Sequence, residues 1–376
     1  MSGDRLTLCA VGDIAAFHNK PEEMFDHVDM ALRKADISFA QNERHYNDVK
    51  ATPVGGFTEQ VSPRHAGFLK RGGFSVLSFA SNHSMDLGEE AMMETIGALR
   101  SNGFAVIGAG RNIEEARRPA IIERNGTKVA FLAYCSVLRP NYEADVYEAG
   151  CAPMRAYTLY HQVDYQPGTP PQILTFPNKA DLAAVTEDVA RVRAVSDIVV
   201  VSFHWGVHFV DAIVADYQVE VAHAVIDAGA DIILGHHPHM LKGTEVYKGK
   251  PIFYSMGNFA FDLPGDIVDE WVKAVPRKKT TYQEQGWAYG DPEWSLYSFP
   301  PACRKSMSVQ CELKGKRIER VSFLPVMINK QAQPGLVDRT DHDFEEIVEY
   351  MRRISASQGF STDFRVEGDE VAISLM

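Results

Sequence analysis

The chain has 376 residues, a length that suits one large α/β domain with additions or two domains. Its hydrophobic fraction of 45% and charged fraction of 23% are those of an ordinary soluble globular protein. The formal net charge of −12 argues against a general nucleic-acid-binding protein, because such proteins present clustered Lys and Arg to the phosphates.

Short aliphatic runs alternate with amphipathic stretches along most of the chain, which is typical of βαβ architectures. Strands are predicted at residues 6–11, 37–40, 76–80, 105–107, 128–134, 198–203, 232–234 and 251–255. Helices are predicted between them, chiefly at residues 89–102, 180–194 and 215–228. After residue 306 the pattern changes to a β-hairpin (307–313 and 318–326), a helix (343–355) and a last strand (371–375).

The predicted domain boundary lies near residue 330. Residues 1–330 form the main domain, and residues 331–376 form a C-terminal helix and strand appendage. Two long segments, at about 137–177 and 262–305, interrupt the alternation and are rich in aromatic residues. Loops of this length are usually functional or disordered, and aromatic content disfavours disorder. Both segments are therefore predicted to be lids over the functional site.

The cysteines and the first residues predict the compartment. The five cysteines form no Cys-x-x-Cys pair and their number is odd, so reduced and mostly buried thiols are expected. The N-terminal residues lead directly into the first predicted strand, with no pattern of a signal peptide. No apolar stretch is long enough to span a membrane. The expected location is the cytoplasm, with no membrane partner.

Five histidines cluster in the loops that follow two predicted strands. They are His204, His208, His236, His237 and His239. Loops at the carboxyl ends of strands in open α/β sheets line a crevice in which ligands bind. A single histidine there is more often structural, but five in two loops predict ligands that converge on a metal ion.

Three further strand ends carry possible ligands: Asp13, Glu43, and Asn82 beside His83. A two-metal hydrolytic centre needs hard carboxylates, one of which can bridge the cations, together with neutral imidazoles and often an amide oxygen. Taken singly, Asp13 also fits a turn and Asn82 a helix cap. The metal-site prediction therefore depends on the ordered set.

That set resembles the CapA (poly-γ-glutamate capsule biosynthesis) proteins, a family of the calcineurin-like metallophosphoesterase superfamily, over about residues 6–330. The matching segments are Val11-Gly12-Asp13, Glu43, Ala80-Ser81-Asn82-His83 with Asp86 and Gly88, Phe203-His204-Trp205-Gly206, Gly235-His236-His237-Pro238-His239, and Tyr254-Ser255-Met256-Gly257-Asn258-Phe259. The resemblance implies a four-layer αββα sandwich, in which helices face two mixed sheets and two divalent cations bind at one end.

The resemblance also implies the roles of individual residues. One cation would be held by Asp13, Glu43 and His239, and the other by Glu43, Asn82, His204 and His237. Glu43 would bridge the two cations. One or two divalent ions would bind, and each would be Mn, Fe or Zn. His83 would protonate the leaving group or orient the substrate, while a metal-activated hydroxide attacks. A structural alternative is that His83 only donates to a carbonyl or to Asp86.

Three departures from the family pattern change these expectations. Ala15 stands where the superfamily often has a histidine ligand, so the first metal site would bind loosely, use His18 or water, or stay empty. Gln41-Asn42-Glu43 replaces the family's Asn-Leu-Glu, so Glu43 is retained while Gln41 stands in place of the Asn. The expected absence of a membrane anchor favours a small intracellular substrate over an exported polymer.

The substrate contacts are predicted from residue type. His208 is assigned to substrate binding, and the alternative is that it orients a metal ligand. Trp205 would wall the pocket or stack on substrate, and the alternative is simple packing. The basic lid residues suit an anionic substrate, although each also fits a solvated surface: Arg277, Lys278, Lys279 and Arg304. His236 is expected to point into the sheet and donate to a backbone carbonyl.

Three functions remain open. The first is a metal-dependent hydrolase that cleaves a phosphoester, amide or ester bond in a small anionic molecule. The second is a soluble CapA-like protein of poly-γ-glutamate synthesis that binds or transfers polymer without hydrolysis. The third is a binding protein with a decayed site. The third is disfavoured because only the ligand at Ala15 is missing.

Overall fold

A computed structural model describes residues 5–17, 21–50, 54, 59–274, 286–287 and 291–375. The strands are β1 (Arg5–Ala15), β2 (Ile37–Asn42), β3 (Val76–Ser78), β4 (Ala105–Ile107), β5 (Ala109–Gly110), β6 (Ala120–Arg124), β7 (Thr127–Cys135), β8 (Gly150–Cys151), β9 (Ala156–His161), β10 (Gln172–Pro177), β11 (Ile198–His204), β12 (Ile232–His236), β13 (Thr244–Tyr247), β14 (Lys250–Phe253), β15 (Asn258–Phe261), β16 (Lys305–Lys314), β17 (Arg317–Ile328), β18 (Pro334–Leu336), β19 (Phe364–Glu367) and β20 (Glu370–Ile373). The α-helices are α1 (Asp29–Leu32), α2 (Gly88–Ser101), α3 (Ile113–Ala116), α4 (Lys179–Arg193), α5 (Asp216–Asp227), α6 (Gly265–Ala274) and α7 (His342–Ser357).

The first sheet is mixed and has the strand order β19-β20-β17-β16-β1-β2-β3-β4. Strands β1 to β4 are parallel, whereas β16 runs antiparallel to β1. Strand β15 adds a short parallel pairing to the end of β1. The carboxyl ends of β1, β2 and β3 therefore lie at one edge of this sheet.

The second sheet has the order β13-β14-β12-β11-β7-β6. Its four inner strands are parallel, and β6 and β13 run antiparallel at the two ends. Every residue of β11 is buried, which explains why its sequence is almost continuously apolar rather than alternating.

The two sheets pack face to face, and helices flank them. Ile198 and Val200 of β11 belong to a core cluster that includes the first sheet, whereas Val199 and Val201 pack in a second cluster with α4 and α5. Across the interface the rings of Phe39 and Phe131 stack with centroids 6.0 Å apart. This arrangement confirms the predicted α/β sandwich of two mixed sheets.

The C-terminal strands belong to the first sheet. Strands β16 and β17 form the predicted hairpin, and β16 pairs with β1 from Arg5 opposite Lys314 to Val11 opposite Ser308. Strand β20 pairs with β17, and α7 buries Phe344 and Met351 in the main core. The last strands therefore continue the first sheet.

Two further expectations concern the cysteines and the membrane. All five cysteines are buried and free, as predicted. Within the described ranges, no helix combines the length and the apolar character that crossing a bilayer requires.

Candidate metal centre

Both sheets contribute side chains to one buried cluster at the edge where their parallel strands end. Asp13 lies on β1, Glu43 directly follows β2, and His204 ends β11. A ligand atom of each lies within 4.8 Å of a ligand atom of the other two, and all three residues are buried. The structure thus brings together one carboxylate pair and one imidazole, a set that divalent cations bind.

Asn82 and His237 complete this cluster on one side. The Oδ1 atom of Asn82 lies 2.6 Å from Nε2 of His204 and 3.2 Å from Nδ1 of His237. The two ring nitrogens are themselves 3.2 Å apart. Ligand atoms that each bind one cation at about 2.0–2.2 Å are separated by similar distances. The three atoms therefore fit the ligand set predicted for the second cation.

Glu43 supplies the strongest sign that the cluster needs a cation. Both of its carboxylate oxygens are buried and have no hydrogen-bond partner among the described residues. Burial, and then repulsion from the Asp13 carboxylate, raises the pKa of Glu43 well above its usual value. An ionised, unpaired carboxylate at this depth is costly unless a positive charge compensates it. A metal ion supplies that charge, so the residues fit one.

The histidines are neutral in this environment. Burial, followed by repulsion from neighbouring imidazoles, lowers the pKa of His204 and His237 well below the usual value. Neutral imidazole is the form that binds metals, because one ring nitrogen then carries a free lone pair. The protein fold therefore holds these side chains in their ligating state.

Asp13 is oriented by the loop that follows β12. Its Oδ2 accepts a hydrogen bond from the backbone N–H of His237 at 3.1 Å, and its Oδ1 lies 2.9 Å from Nδ1 of His236. The predicted orientation of His236 toward a backbone carbonyl is wrong. His237 has φ +94°, so the strand's alternation ends there and successive histidines can face the same site.

The first predicted metal position has fewer ligands. Nδ1 of His239 lies 3.6 Å from Oδ2 of Asp13 and 2.8 Å from Oδ1 of Asn258. The side chain of Ala15 packs in an apolar cluster with Phe261 and offers no ligand. His18, the proposed substitute, lies outside the described residues.

A glycine contact positions Asp13 within this edge. A Cβ atom on Gly12 would lie 1.9 Å from the carbonyl oxygen of Gly257, which is far inside van der Waals contact. The same carbonyl accepts a hydrogen bond from the N–H of Asp13 at 3.0 Å. Only glycine at position 12 allows this approach.

His83 stands beside the cluster in a hydrogen-bonded chain. Its Nδ1 lies 2.6 Å from Oδ2 of Asp86, and its Nε2 lies 3.0 Å from Nδ2 of Asn82. The buried Asp86 also accepts a hydrogen bond from the Tyr142 hydroxyl at 2.9 Å. Asp86 therefore fixes the imidazole ring so that Nε2 faces the predicted ligand Asn82.

The predicted substrate contacts have different outcomes. The ring centroid of His208 lies 3.7 Å from that of His237, so the structure brings His208 to the cluster. Trp205 instead packs in the core, where its Nε1–H donates to the carbonyl of Tyr254. Adjacent strand residues face opposite sides, so Trp205 points away from the site that His204 enters, contrary to the predicted substrate contact.

The basic residues of the second lid give little support to substrate binding. The Arg304 guanidinium lies 3.4 Å above the ring of Trp294, where it packs as a cation on an aromatic face. Arg277, Lys278 and Lys279 lie outside the described residues.

Both predicted lid segments do approach the site in part. In the second, the ring of Phe299 lies 5.2 Å from that of His239, and Trp287 packs against Phe209. In the first, the Tyr142 hydroxyl reaches the buried Asp86. Further along this segment, β8 pairs with β5, and β9 and β10 form an antiparallel pair of which β10 packs on α5.

Sequence reasoning missed two polar residues near the cluster. Asn258 contacts His239 and donates through Nδ2 to the Tyr297 hydroxyl at 2.9 Å. Its position within the matched Tyr254–Phe259 segment was the available signal. Arg139 places Nη1 3.9 Å from Oδ1 of Asp86 with its side chain 47% exposed, and no local pattern indicates this contact.

The sequence matches a known protein family over most of its length. A family model described as bacterial capsule synthesis protein PGA_cap matches residues 1–263. The PGA biosynthesis protein CapA of Bacillus subtilis (strain 168) is 33% identical over 204 residues, which are 54% of this chain and 47% of that protein. The capsule biosynthesis protein CapA of Bacillus anthracis is 30% identical over 276 residues, which are 69% of this chain and 60% of that protein.

Among solved structures, the calcineurin-like phosphoesterase YfkN from Bacillus subtilis is similar at 11% identity and a TM-score of 0.42, covering 94% of this chain and 98% of that one. That score is too low to establish a shared fold. The matched parts span about half to three fifths of the two curated relatives. The family match, in contrast, covers most of the sequence. The chain belongs to the bacterial capsule synthesis protein PGA_cap family.

Proposed function

We propose that this protein is a metal-dependent hydrolase that cleaves a phosphoester, amide or ester bond in a small anionic substrate. The observation that carries the proposal is the convergence of Asn82, His204 and His237 next to Glu43, whose carboxylate has no partner among the described residues. Buried polar groups are normally satisfied, so a cluster of ligand atoms that satisfy one another poorly points to a cation.

The residues that would hold the metal are those that the family resemblance implies: Asp13, Glu43, Asn82, His204, His237 and His239. When bound, divalent cations supply a hydroxide nucleophile at neutral pH and stabilise the charge that develops on the substrate oxygen. The protein contributes a rigid, dry arrangement, since five of these six residues are buried.

His83 is the proposed proton donor to the leaving group. Its side chain is 12% exposed and therefore reachable by substrate. Asp86 lies 2.6 Å from Nδ1 of this ring and directs Nε2 toward the cluster. A proton on Nε2 can be transferred to a leaving oxygen or nitrogen, which general acid catalysis requires.

Arg139 is the proposed contact for the substrate's negative charge. Its guanidinium is half exposed and lies beside the buried Asp86 of the proton-donor pair. An Arg guanidinium presents several N–H donors in a plane that matches carboxylate and phosphate groups. The site therefore offers an anion contact on the same side as His83.

Metal analysis and turnover test the proposal. The protein, its His204→Ala variant and a His223→Ala control are loaded with Mn²⁺, and metal content is measured together with hydrolysis of phosphoesters, γ-glutamyl amides and lactones. His223 is the matched control because its ring stacks on Tyr247 and bonds Glu245. We expect metal binding and turnover in the protein and the control only. Retention of metal in His204→Ala, or no turnover of any substrate class, contradicts the proposal.

A second function is favoured by the family assignment. Relatives are named for PGA or capsule biosynthesis, so we propose as the alternative that the metal site binds polymer carboxylates without cleaving them. Binding of poly-γ-glutamate that depends on Mn²⁺, without release of any product, supports this alternative over hydrolysis.

A further inference from the structure

A buried arginine, Arg44, directly follows Glu43 and has no anionic partner. Arg44 is 3% exposed, and its Nε atom has no hydrogen-bond partner among the described residues. Buried charges are normally paired and hydrogen-bonded, because the removal of an unpaired charge from water is costly. An unpaired guanidinium at this depth is therefore a sign of a ligand that is bound in the working protein.

The neighbours of the guanidinium hold it in place and leave its N–H donors unused. Its Cζ atom lies 3.8 Å from the ring centroid of Phe17, so one face of the guanidinium packs on an aromatic ring. Asp262 and Glu59 attract the guanidinium from a distance, but neither forms an ion pair with it. The Oδ1 atom of Asp262 instead accepts a hydrogen bond from the N–H of Phe17 at 2.6 Å. The N–H edge of Arg44 is therefore open to a ligand.

Arg44 lines a cavity of about 450 Å³. This volume is within the range of small-molecule binding sites. The side chains of Phe17, Pro264 and Ile267 give the cavity apolar walls. The cavity thus combines an apolar lining with one buried, unpaired cation, as specific ligand sites commonly do.

The cavity lies next to the predicted metal centre but outside it. None of the six predicted metal ligands lines it. The ring of Phe261 connects the two regions, with its centroid 6.2 Å from that of Phe17 and 5.1 Å from that of His239. The cavity can therefore hold a ligand of its own.

Three carboxylates line the same cavity: Glu59, Asp266 and Glu270. Asp266 and Glu270 lie one turn apart on α6, are exposed, and have no ion-pair partner among the described residues. One guanidinium among three carboxylates disfavours a polyanion, because like charges repel one another. The same set favours a ligand that carries one carboxylate and one ammonium group.

We propose that this cavity binds a small zwitterion of the α-amino acid type with an apolar side chain. The ligand carboxylate accepts hydrogen bonds from Arg44, whose planar N–H donors match two carboxylate oxygens. The ammonium group faces Asp266 and Glu270, and the apolar side chain packs against Phe17 and Ile267. The proposal does not depend on the hydrolytic function, because none of these residues is a predicted metal ligand.

Isothermal titration calorimetry of the full chain with matched probes tests the class of ligand. The probes are L-leucine, isocaproate, which lacks the amine, and isoamylamine, which lacks the carboxylate. We expect L-leucine to bind about tenfold or more tightly than isoamylamine, because a hydrogen bond to a charged group is lost without the carboxylate. Isocaproate, and L-glutamate with its second negative charge, should both bind more weakly than L-leucine.

Replacement of Arg44 tests the carboxylate contact. Arg44→Met keeps an aliphatic chain over Phe17 and removes the charge, so the dissociation constant for L-leucine should rise by about tenfold or more. Without ligand, the Tm of this variant should be equal to that of the unaltered protein or higher, because the removed charge has no partner. Arg100→Met is the matched control, since Arg100 is exposed on α2 and does not line the cavity. The control should bind L-leucine like the unaltered protein.

Replacement of the two carboxylates on α6 separates charge recognition from a general loss of structure. The double variant Asp266→Asn/Glu270→Gln should weaken the binding of L-leucine and strengthen the binding of isocaproate. Each change should be about twofold or more, since exposed charges contribute modestly. A damaged fold would instead weaken the binding of both probes.

Three results would overturn the proposal. The first is no binding of L-leucine to the unaltered protein at millimolar concentration. The second is binding of isocaproate or L-glutamate as tightly as L-leucine, which would remove the role of the ammonium group. The third is a lower Tm in Arg44→Met without ligand, which would assign Arg44 to the stability of the fold.

Discussion

The side-chain oxygen of Asn82 lies 2.6 Å from Nε2 of His204, and these two residues belong to different sheets of the sandwich. Asn82 follows β3 in the first sheet, whereas His204 ends β11 in the second. A cation bound between them would therefore connect the two sheets directly.

Metal binding is accordingly expected to stabilise the folded protein. At a free Mn²⁺ concentration of 100 times the dissociation constant, a single site adds about 2.7 kcal/mol to the free energy of unfolding. Differential scanning calorimetry with Mn²⁺ and with EDTA should show a higher Tm with the metal. The Asn82→Ala variant should show a smaller difference. Equal Tm values in both conditions would argue against a structural link between the sheets.

Replacement of the His83 partner should affect chemistry more than metal binding. Asp86→Asn leaves the shape similar but removes the carboxylate that orients the His83 ring, so kcat should fall about 10²-fold or more. Metal content should stay unchanged. Tyr142→Phe removes one neutral donor to Asp86, worth about 1 kcal/mol, and should change kcat by less than about tenfold. Loss of metal in Asp86→Asn would mean that Asp86 supports metal binding by the predicted ligands and not the chemistry of His83.

Loss of the Arg139 guanidinium should weaken substrate binding. In Arg139→Ala the KM for an anionic substrate should rise by about tenfold, since a hydrogen bond to a charged group contributes about 1.5–3 kcal/mol. The kcat value should change little. Arg118→Ala is a control, because Arg118 lies on the surface 4.0 Å from Glu114. Steady-state kinetics on both variants checks this, and an unchanged KM in Arg139→Ala refutes the assigned contact.

Two glycine substitutions should have opposite effects on stability. Gly12→Ala forces a methyl group against the carbonyl of Gly257 and should cost more than about 3 kcal/mol of unfolding free energy. Gly97 lies in the middle of α2, and a methyl group there would meet no atom within 4 Å, so Gly97→Ala should stabilise the protein by about 0.5–1 kcal/mol. Urea denaturation compares the two. A mild effect of Gly12→Ala would show that β1 and β15 can separate.

The buried Lys242 should make stability depend on alkaline pH. Burial lowers the pKa of Lys242 from 10.5 to about 8, so the unfolded chain binds more protons between these values. Stability therefore rises with pH across this window. Relative to Lys242→Met, the unaltered protein should gain unfolding free energy between about pH 8 and pH 10 in urea denaturation. If the unfolding free energy of both proteins changed with pH in the same way, the lowered pKa of Lys242 would be contradicted.

The convergence of three of the predicted ligand residues could be read from the sequence. Parallel strands end at a common edge, so Asp13, Glu43 and His204 could be expected to meet once the strands were identified. The predicted substrate contact of Trp205 is wrong because side chains alternate along a strand. His204 faces the site, so the next residue, Trp205, points into the core.

Other features depended on tertiary contacts that no local pattern encodes. The positive φ of His237 redirects the chain after β12, so the orientation of His236 could not follow from alternation. Arg139 meets Asp86 although the two are far apart along the chain, and neither residue has a sequence signal for the other. The place of β16 beside β1 likewise depends on pairing between segments that are far apart along the chain.

That last pairing has a consequence for biosynthesis. Strand β1 carries Asp13, and its neighbour on one side is β16, which begins at Lys305. During synthesis, the edge of β1 that pairs with β16 stays unpaired until β16, about three hundred residues later in the sequence, has left the ribosome. Pairing of β1 on both sides thus follows the synthesis of every strand that lies between β1 and β16 along the chain.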